Sequence, residues 1–357
     1  MSSSSSGPDK ITPNDPRVEH HTFTTSSNKT TYHYLLANTP APPTGTVLLV
    51  HGWPDLSFGW RYQITALLAL NLRVVVPDML GYGRTDAPEP LHLYSLKHVS
   101  ADLAELMASV LGSPNQKFII GGHDWGGFLV WRFVLYHPQL VQGVFSVCTP
   151  YSPPRTAYVD LETLVNKFAP TFKYQLQLAG PHVEREVVGE KRVRTFVNGM
   201  FGGRTSDGQH LFSTEKGINF GVLEKGIGEC PLLSKEEVDF YVQEYGRRGD
   251  KPLRGPLNWY RTTKIKFDEE LPLAQAGVGG PEKKVGPPAM IVVATKDIAL
   301  PPQMSKNMEH YFERLTIRTV NTSHWALLED PKAVNGHIAE FVTAVLEGEK
   351  PAIKASI

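Results

Sequence analysis

Cysteine is scarce in this sequence, and long apolar runs are missing from it. Cys148 and Cys230 are the only cysteines among 357 residues, which excludes a disulfide framework. No stretch approaches the roughly 20 apolar residues of a membrane-spanning helix, and the serine-rich start lacks the apolar segment of a signal peptide. These absences predict a protein of a reducing, cytoplasmic compartment without a membrane span.

An excess of either charge is also missing. The 36 basic residues balance the 36 acidic ones, so no overall field attracts nucleic acid or an anionic membrane. Hydrophobic residues make up 41% and charged residues 20% of the chain, a composition that supports a full core and excludes the disordered and fibrous classes. We expect a globular monomer or homodimer with a small neutral ligand and no nucleic-acid partner.

Short apolar runs alternate with helical patterns along the chain. Runs this short, without polar alternation, are typical of buried parallel strands. The alternation predicts an α/β fold with a mostly parallel central sheet and flanking helices. The predicted strands cover residues 46–50, 73–76, 118–120, 144–147, 290–294 and 316–320, and the clearest helical patterns cover residues 57–70, 95–111 and 331–346.

Two regions depart from this alternation. Residues 1–20 are rich in Ser, Pro and Asp and predict a flexible N-terminal arm. Residues 151–285 contain helical patterns but no comparable strand, which predicts a mainly helical cap, or lid, inserted into a core made of residues 21–150 and 286–357. An insertion at this point would cover the carboxyl ends of the strands, where open parallel sheets bind ligands.

Residues 117–127, with the sequence KFIIGGHDWGG, run from an apolar strand through a glycine-flanked turn into a helix. This pattern indicates a nucleophile elbow, because the glycines allow a turn sharp enough to expose the central side chain above the sheet. Asp124 occupies the position where a serine hydrolase has its serine. An ionised carboxylate can attack an sp3 carbon and form an ester, so the expected chemistry is alkyl transfer rather than acyl transfer.

An acid and a base follow Asp124 in the chain order that accompanies such an elbow. Asp297 comes directly after the predicted strand 290–294, and His324 comes directly after the predicted strand 316–320. Loops at the carboxyl ends of neighbouring strands can converge. His324 can then act as a general base, while Asp297 sets its tautomer and stabilises the imidazolium.

The segment HGWP, residues 51–54, follows the predicted strand 46–50. A loop in this position can present a backbone N–H group to an oxyanion, and so can the residue after the nucleophile. We therefore predict the N–H groups of Trp53 and Trp125 as an oxyanion hole. Their indole rings could equally form the wall of a pocket.

These motifs together resemble those of the soluble epoxide hydrolases of the α/β-hydrolase fold. The resemblance covers about residues 20–346 and rests on HGWP, on GHDWGG around Asp124, on Asp297 and His324 in order, on YQL at 174–176 and on NWYR at 258–261. It implies an enzyme that converts an apolar epoxide and water into a vicinal diol through a covalent ester. It also implies no metal and no organic cofactor, and the histidines and cysteines show no metal-ligand spacing.

The resemblance also assigns residues to the substrate. Tyr174 and Tyr260 are the residues that it implies hold and protonate the epoxide oxygen, because a phenol stays protonated at neutral pH and can donate as the C–O bond breaks. His51, Pro54 and Trp259 are expected to contact the substrate. For the role of Tyr174, other tyrosines of the predicted cap remain alternatives, namely Tyr151, Tyr158 and Tyr241.

Two other functions compete with epoxide hydrolysis. A haloalkane dehalogenase uses the same nucleophile and base but expels halide; its common loop has Asn where this chain has Trp53. A ligand receptor could keep the same fold without turnover, although such a protein usually lacks one of the catalytic groups.

Overall fold

The structure is a computed structural model that describes residues 7–348. Ten strands are present in these residues. They are β1 Glu19–Thr24, β2 Thr31–Ala37, β3 Gly45–Val50, β4 Leu72–Pro77, β5 Phe118–His123, β6 Val141–Val147, β7 Phe212–Ser213, β8 Gly217–Ile218, β9 Ala289–Ala294 and β10 Leu315–Val320.

Eight of the strands form one sheet in the order β1-β2-β4-β3-β5-β6-β9-β10. β1 pairs with β2, and β2 with β4, in antiparallel fashion, whereas every pair from β4 to β10 is parallel. All residues of β5 and β9 are buried, as expected for strands that are covered on both faces. The predicted α/β fold with a mostly parallel sheet is confirmed.

Helices flank the sheet, and most of the shorter ones lie between β6 and β9. The α-helices are α1 Arg61–Leu68, α2 Leu96–Leu111, α3 Trp125–Tyr136, α4 Leu161–Thr163, α5 Tyr174–Ala179, α6 His182–Glu186, α7 Glu190–Met200, α8 Phe220–Lys225, α9 Lys235–Gly246, α10 Arg254–Asn258, α11 Thr263–Gln275, α12 Ala326–Glu329 and α13 Pro331–Leu346. Within residues 7–348, no helix is long and apolar enough to cross a membrane.

All six predicted strands are present, but β1 and β2 were not predicted. β1 has the sequence EHHTFT and carries only half-buried or exposed side chains, so it lacks the apolar signal of the central strands. It is an edge strand, and edge strands commonly carry polar and charged residues. The antiparallel edge of the sheet was therefore not visible from apolar periodicity.

The flexible arm predicted over residues 1–20 is wrong for the described part of that segment, residues 7–20. The side chain of Ile11 is 1% exposed, and its backbone N–H donates to the carbonyl of Arg61 at 3.1 Å. Val18 is buried as well, and β1 begins at Glu19. Isolated apolar residues anchor this segment to the core, which an average over its Ser- and Pro-rich composition conceals. Residues 1–6 lie outside the described residues.

The interval between β6 and β9 contains α4 to α11 together with the short hairpin of β7 and β8. Its helices contact the loops at the carboxyl ends of the strands. Tyr245 on α9 donates its phenolic O–H to the carbonyl of Pro54 at 2.8 Å, and the indole N–H of Trp259 donates to the carbonyl of Leu80 at 2.9 Å. Because of these contacts, the interval between β6 and β9 covers the edge of the sheet at which Asp124 is found.

Candidate active site

The nucleophile elbow lies between β5, which ends at His123, and α3, which begins at Trp125. Asp124 has φ 54° and ψ −121°, a strained conformation for a residue with a side chain. Glycines make the turn possible, because a Cβ atom on Gly126 would lie 2.0 Å from the carbonyl oxygen of Val50. The hydroxyl of Thr149 donates to the carbonyl of Asp124 at 2.8 Å, so the loop that follows β6 also stabilises the strained turn.

The two carboxylate oxygens of Asp124 have different surroundings. Oδ1 accepts the backbone N–H of Trp53 at 2.7 Å, whereas Oδ2 lies 3.5 Å from Nε2 of His324. Burial raises the pKa of Asp124, but His324 and the Trp53 N–H outweigh it, and the net pKa lies below the usual value. Asp124 is therefore an ionised carboxylate with one oxygen engaged by the backbone and the other beside an imidazole.

Asp297 and His324 form a hydrogen-bonded pair at the carboxyl ends of β9 and β10. Nδ1 of His324 lies 2.7 Å from Oδ2 of Asp297, while Oδ1 of Asp297 accepts the N–H groups of Ala299 and Leu300 at 2.8 and 2.9 Å. Burial raises the pKa of Asp297, but the charge of His324 and these hydrogen bonds bring it below its usual value. The carboxylate thus fixes the Nδ1–H tautomer and leaves Nε2 facing Asp124.

The protonation of His324 depends on both carboxylates. Burial alone would lower the pKa of His324, but Asp297 and Asp124 raise it well above the usual value. Part of this rise comes from Asp124, so the basicity of His324 depends on the charge of the residue that it faces. Any reaction that neutralises Asp124 must lower the pKa of His324.

Two buried side chains support the backbone of His324. Nε2 of His123 lies 2.8 Å from the carbonyl oxygen of His324, and Sγ of Cys148 lies 3.4 Å from the same oxygen. The side chains of His123, Cys148 and His324 have possible ligand atoms within 4.8 Å of one another, so we considered them as metal ligands. However, His123 and Cys148 act here as donors to a carbonyl, and burial keeps the pKa of the Cys148 thiol well above its usual value. This donor chemistry does not suit a metal, which requires a free ring nitrogen and a thiolate.

For the predicted oxyanion hole, the structure contains one of the two contacts. The Trp53 N–H already donates to Oδ1 of Asp124. Trp125 begins α3, so its N–H belongs to the first helical turn, where backbone donors have no partner inside the helix. Within residues 7–348 the Trp125 N–H does not hydrogen-bond Asp124, and its role stays a prediction.

Tyr174 and Tyr260 lie together above the elbow. Tyr260 sits in the short 3₁₀ turn Trp259–Arg261, with its ring edge-on to Trp53 and Trp125 at centroid distances of 5.7 and 5.2 Å. Tyr174 begins α5, and its ring lies 6.2 Å from that of Tyr260. Burial, together with the nearby negative charge of Asp124, raises the pKa of both phenols. Both are therefore protonated donors.

The three competing tyrosines are placed differently. The phenol of Tyr151 donates to the carbonyl of Gly279 at 2.8 Å, and that of Tyr241 donates to the buried carboxylate of Asp55. Tyr158 is 42% exposed. Tyr174 is thus the one of these four cap tyrosines whose ring packs against Tyr260.

A cavity of about 400 Å³ opens directly onto the elbow. Asp124, Trp125 and Tyr174 line it at one end, and most of its wall is apolar or aromatic. A cavity of this size and character fits a small apolar molecule. Sequence reasoning missed most of its lining residues, among them Phe128, Phe172, Lys266, Leu300 and Met304, because no motif marks a side chain that only forms a wall.

The substrate contacts predicted for His51, Pro54 and Trp259 stay a prediction. None of the three is among the described residues that line the cavity, and neither is Tyr260. Nε2 of His51 accepts the N–H of Met79 at 2.8 Å, and Trp259 uses its indole N–H on a backbone carbonyl. Polar groups engaged with the backbone in this way stabilise loops. His51 and Trp259 thus stabilise the loops around Asp124.

Gly52 provides a direct test of how closely the loop approaches the nucleophile. A Cβ atom at this position would lie 2.4 Å from both Cβ and Oδ1 of Asp124. The Gly52→Ala variant is expected to lose about 100-fold or more in kcat, because a displacement of about 1 Å can cost that much. Steady-state kinetics measure the loss.

Gly336→Ala is the matched control for this substitution. Gly336 lies in α13, and a Cβ atom there would meet nothing within 4 Å. It should leave kcat unchanged and raise stability slightly, since alanine is the better helix former. Equal activity of the Gly52→Ala variant and the parent would mean that Asp124 tolerates displacement.

A family model described as the alpha/beta hydrolase fold matches residues 45–331. The chain therefore belongs to the α/β-hydrolase family. An experimental structure of epoxide hydrolase A from Mycobacterium thermoresistibile has the same fold, with 26% sequence identity, a TM-score of 0.71, and coverage of 91% of this chain and 98% of that chain.

Within that family the chain belongs to the epoxide hydrolases. Epoxide hydrolase srdG of Neurospora crassa is 46% identical over 349 residues, which are 95% of this chain and 99% of that protein. Bifunctional epoxide hydrolase 2 of Rattus norvegicus is 33% identical over 97% of this chain, which spans 59% of the length of that protein. The family predicted from the motifs is confirmed.

Proposed function

We propose that this protein hydrolyses epoxides to vicinal diols by way of an ester on Asp124. The observation that carries the proposal is the division of the Asp124 carboxylate between the Trp53 N–H on one oxygen and His324 on the other. Asp124 and Tyr174 line an apolar cavity, and the ring of Tyr260 packs against that of Tyr174. A nucleophile below and acidic protons above are what an epoxide requires.

In the first step, Oδ2 of Asp124 attacks one epoxide carbon and the C–O bond on the opposite side breaks. The electron pair stays on the departing oxygen, which takes a proton from one phenol while the other phenol donates a hydrogen bond. Two donors also hold the ring for in-line attack. The product of this step is a hydroxyalkyl ester of Asp124.

In the second step, water attacks Cγ of Asp124 and gives its proton to Nε2 of His324. The negative charge develops on Oδ1, which the Trp53 N–H already contacts and which the Trp125 N–H would reach as a second donor. Collapse of this intermediate breaks the Cγ–Oδ2 bond and releases the diol, which takes the proton from His324. The carboxylic acid left at Asp124 then gives its proton to His324, which restores the starting pair. Asp297 keeps the imidazole oriented throughout.

The charges of the site support this order of events. Asp124 contributes to the raised pKa of His324, and esterification removes that negative charge. The imidazolium then loses its proton more readily. This proton can replace the one that the phenol gave to the substrate. His324 is thus converted into a base only after the ester has formed.

The decisive test is diol formation from a panel of aryl and alkyl epoxides, measured beside halide release from chloroalkanes and bromoalkanes. We expect diol and no halide. Halide without diol would move the assignment to a dehalogenase, and tight binding without either product would indicate a receptor. The same purified, folded protein should be used in every assay.

The two phenols are predicted to share the work on the epoxide oxygen. The Tyr174→Phe and Tyr260→Phe variants should each lower kcat/KM by about 10- to 100-fold, the effect of one hydrogen bond to developing charge. The double variant should lose about 1,000-fold or more, because no acid remains. Steady-state rates of diol formation measure both losses.

Tyr158→Phe is the matched control, because this exposed phenol also lines the cavity. It should leave kcat/KM nearly unchanged. A double Tyr174/Tyr260 variant with the activity of the parent would contradict protonation by these two residues.

A further inference from the structure

One charged side chain of the cavity has no part in the proposed reaction. Lys266 lies on α11 and lines the cavity together with Asp124 and Trp125. Its ammonium lies 4.4 Å from the centre of the Trp125 ring and 5.3 Å from that of Phe128. Aromatic rings stabilise a cation in this way, but they do not neutralise its charge.

Two other charged side chains of the lining, Arg132 and Glu270, act on Lys266 and pair with each other. Arg132 on α3 forms an ion pair with Glu270 on α11, with Nε and Oε1 2.9 Å apart. Both side chains are buried. Lys266 has no carboxylate within 4.0 Å of its ammonium in residues 7–348. The group formed by Lys266, Arg132 and Glu270 therefore has two cations and one carboxylate, and its net charge is positive.

Burial lowers the pKa of Lys266 to about 8, and the charge of Glu270 only partly opposes this shift; the net change expresses the cost of keeping this ammonium in an apolar cavity. At neutral pH the side chain is still mainly charged. A negatively charged ligand group that enters the cavity would replace the solvation that the ammonium of Lys266 has lost. Such a contact is stronger than the same contact at an exposed surface.

The position of this charge limits where on a substrate its partner can be. Trp125 follows Asp124 directly; its indole packs edge-on against the ring of Tyr260, with centroids 5.2 Å apart, and lies under Lys266. The ammonium and the phenol that would hold the epoxide oxygen therefore contact the same indole. The complementary group must be only a short distance from the epoxide.

We propose that Lys266 is a specificity-determining residue that binds a carboxylate located a few bonds from the epoxide ring of the substrate. The remainder of such a substrate is apolar or aromatic and packs against Phe128 and Phe172. The inference rests on the proposed function for its reaction, but binding at Lys266 does not require turnover.

The test compares styrene oxide with 4-(oxiran-2-yl)benzoate, which adds only a carboxylate. In the parent protein the carboxylate should raise kcat/KM, and Lys266→Met should lower the ratio of the two kcat/KM values by about 10- to 100-fold, as for a lost hydrogen bond between charged groups. Turnover of styrene oxide should be maintained. Lys266→Arg, which keeps the charge, should retain a preference.

Lys264→Met is the matched control, because Lys264 lies on the same helix but is exposed and paired with Asp268. It should leave the ratio unchanged. In the parent, the preference should also fade as the pH rises through about 8, where Lys266 loses its proton, while the facing Arg132 and Glu270 remain paired. An unchanged ratio in Lys266→Met would overturn the proposal.

Calorimetric titration with benzoate separates the two hypotheses. Benzoate should bind the parent protein and bind Lys266→Met about 10-fold or more weakly. If neither the parent protein nor Lys266→Met forms diol but this difference in benzoate binding is found, the proposed reaction fails and the carboxylate site stands. If diol is formed but benzoate binds both proteins equally, the carboxylate site fails and the reaction stands.

Discussion

Replacement of Asp124 by alanine is expected to abolish diol formation, with a loss of about 10,000-fold or more in kcat/KM. The nucleophile is the group on which both chemical steps depend, and removal of such a group leaves only the contribution of binding and hydrogen-bond donors. Diol formation under single-turnover conditions measures the loss. Thermal unfolding should show a folded variant, since Asp124 adopts a strained conformation whose replacement removes no core packing.

Oxygen-18 water distinguishes a nucleophile from a general base at this position. If Asp124 forms the ester, the first turnover in labelled water transfers an unlabelled carboxylate oxygen to the diol and leaves the label in Asp124. If Asp124 only activated water, the label would enter the diol in the first turnover. Mass spectrometry of the peptide that contains residue 124 reads out the difference, and a labelled first-turnover diol would contradict the ester.

Replacement of His324 by glutamine is expected to stop the reaction after ring opening. The first step needs the carboxylate and the phenols, whereas the second needs a base to activate water. The variant should accumulate an enzyme that is heavier by one epoxide, with steady-state turnover reduced by about 1,000-fold or more. Intact-protein mass spectrometry after addition of substrate detects the adduct.

His310→Gln is a matched control, because His310 is exposed and lies away from the cavity. It should turn over normally and show no adduct. Absence of the adduct in His324→Gln, with the parent active on the same epoxide, would mean that His324 is needed before the ester forms. The observed distance of 3.5 Å between His324 and Asp124 would then reflect activation of the first step.

The central strands and the order of the site residues could be predicted because their signals are local. β9 is a continuous apolar run and β5 begins with one, and the elbow around Asp124 requires glycines at particular positions. Asp297 and His324 each directly follow such a strand, so the parallel topology alone brings them to the same edge of the sheet. The hydrogen bond between them follows from that topology.

Other features carry no local signal. β1 and β2 have little apolar alternation and are stabilised by pairing with the rest of the sheet. Ile11 is a single apolar residue in a polar segment, and its burial depends on a distant helix. His51 shares a motif with Trp53, yet the chain directs its ring toward the loop at Met79 instead of the cavity.

The sequence by itself determined the fold class, the family and the chemistry expected of the site, because strand periodicity, glycine turns and the carboxylate of Asp124 are local properties. The tertiary structure decided which cap tyrosine lies beside Tyr260 and which side chains form the cavity. It also decided that, within residues 7–348, Glu270 pairs with Arg132 while the ammonium of Lys266 contacts only aromatic rings. Packing between segments far apart in the chain sets these contacts, and such packing has no periodicity along the sequence.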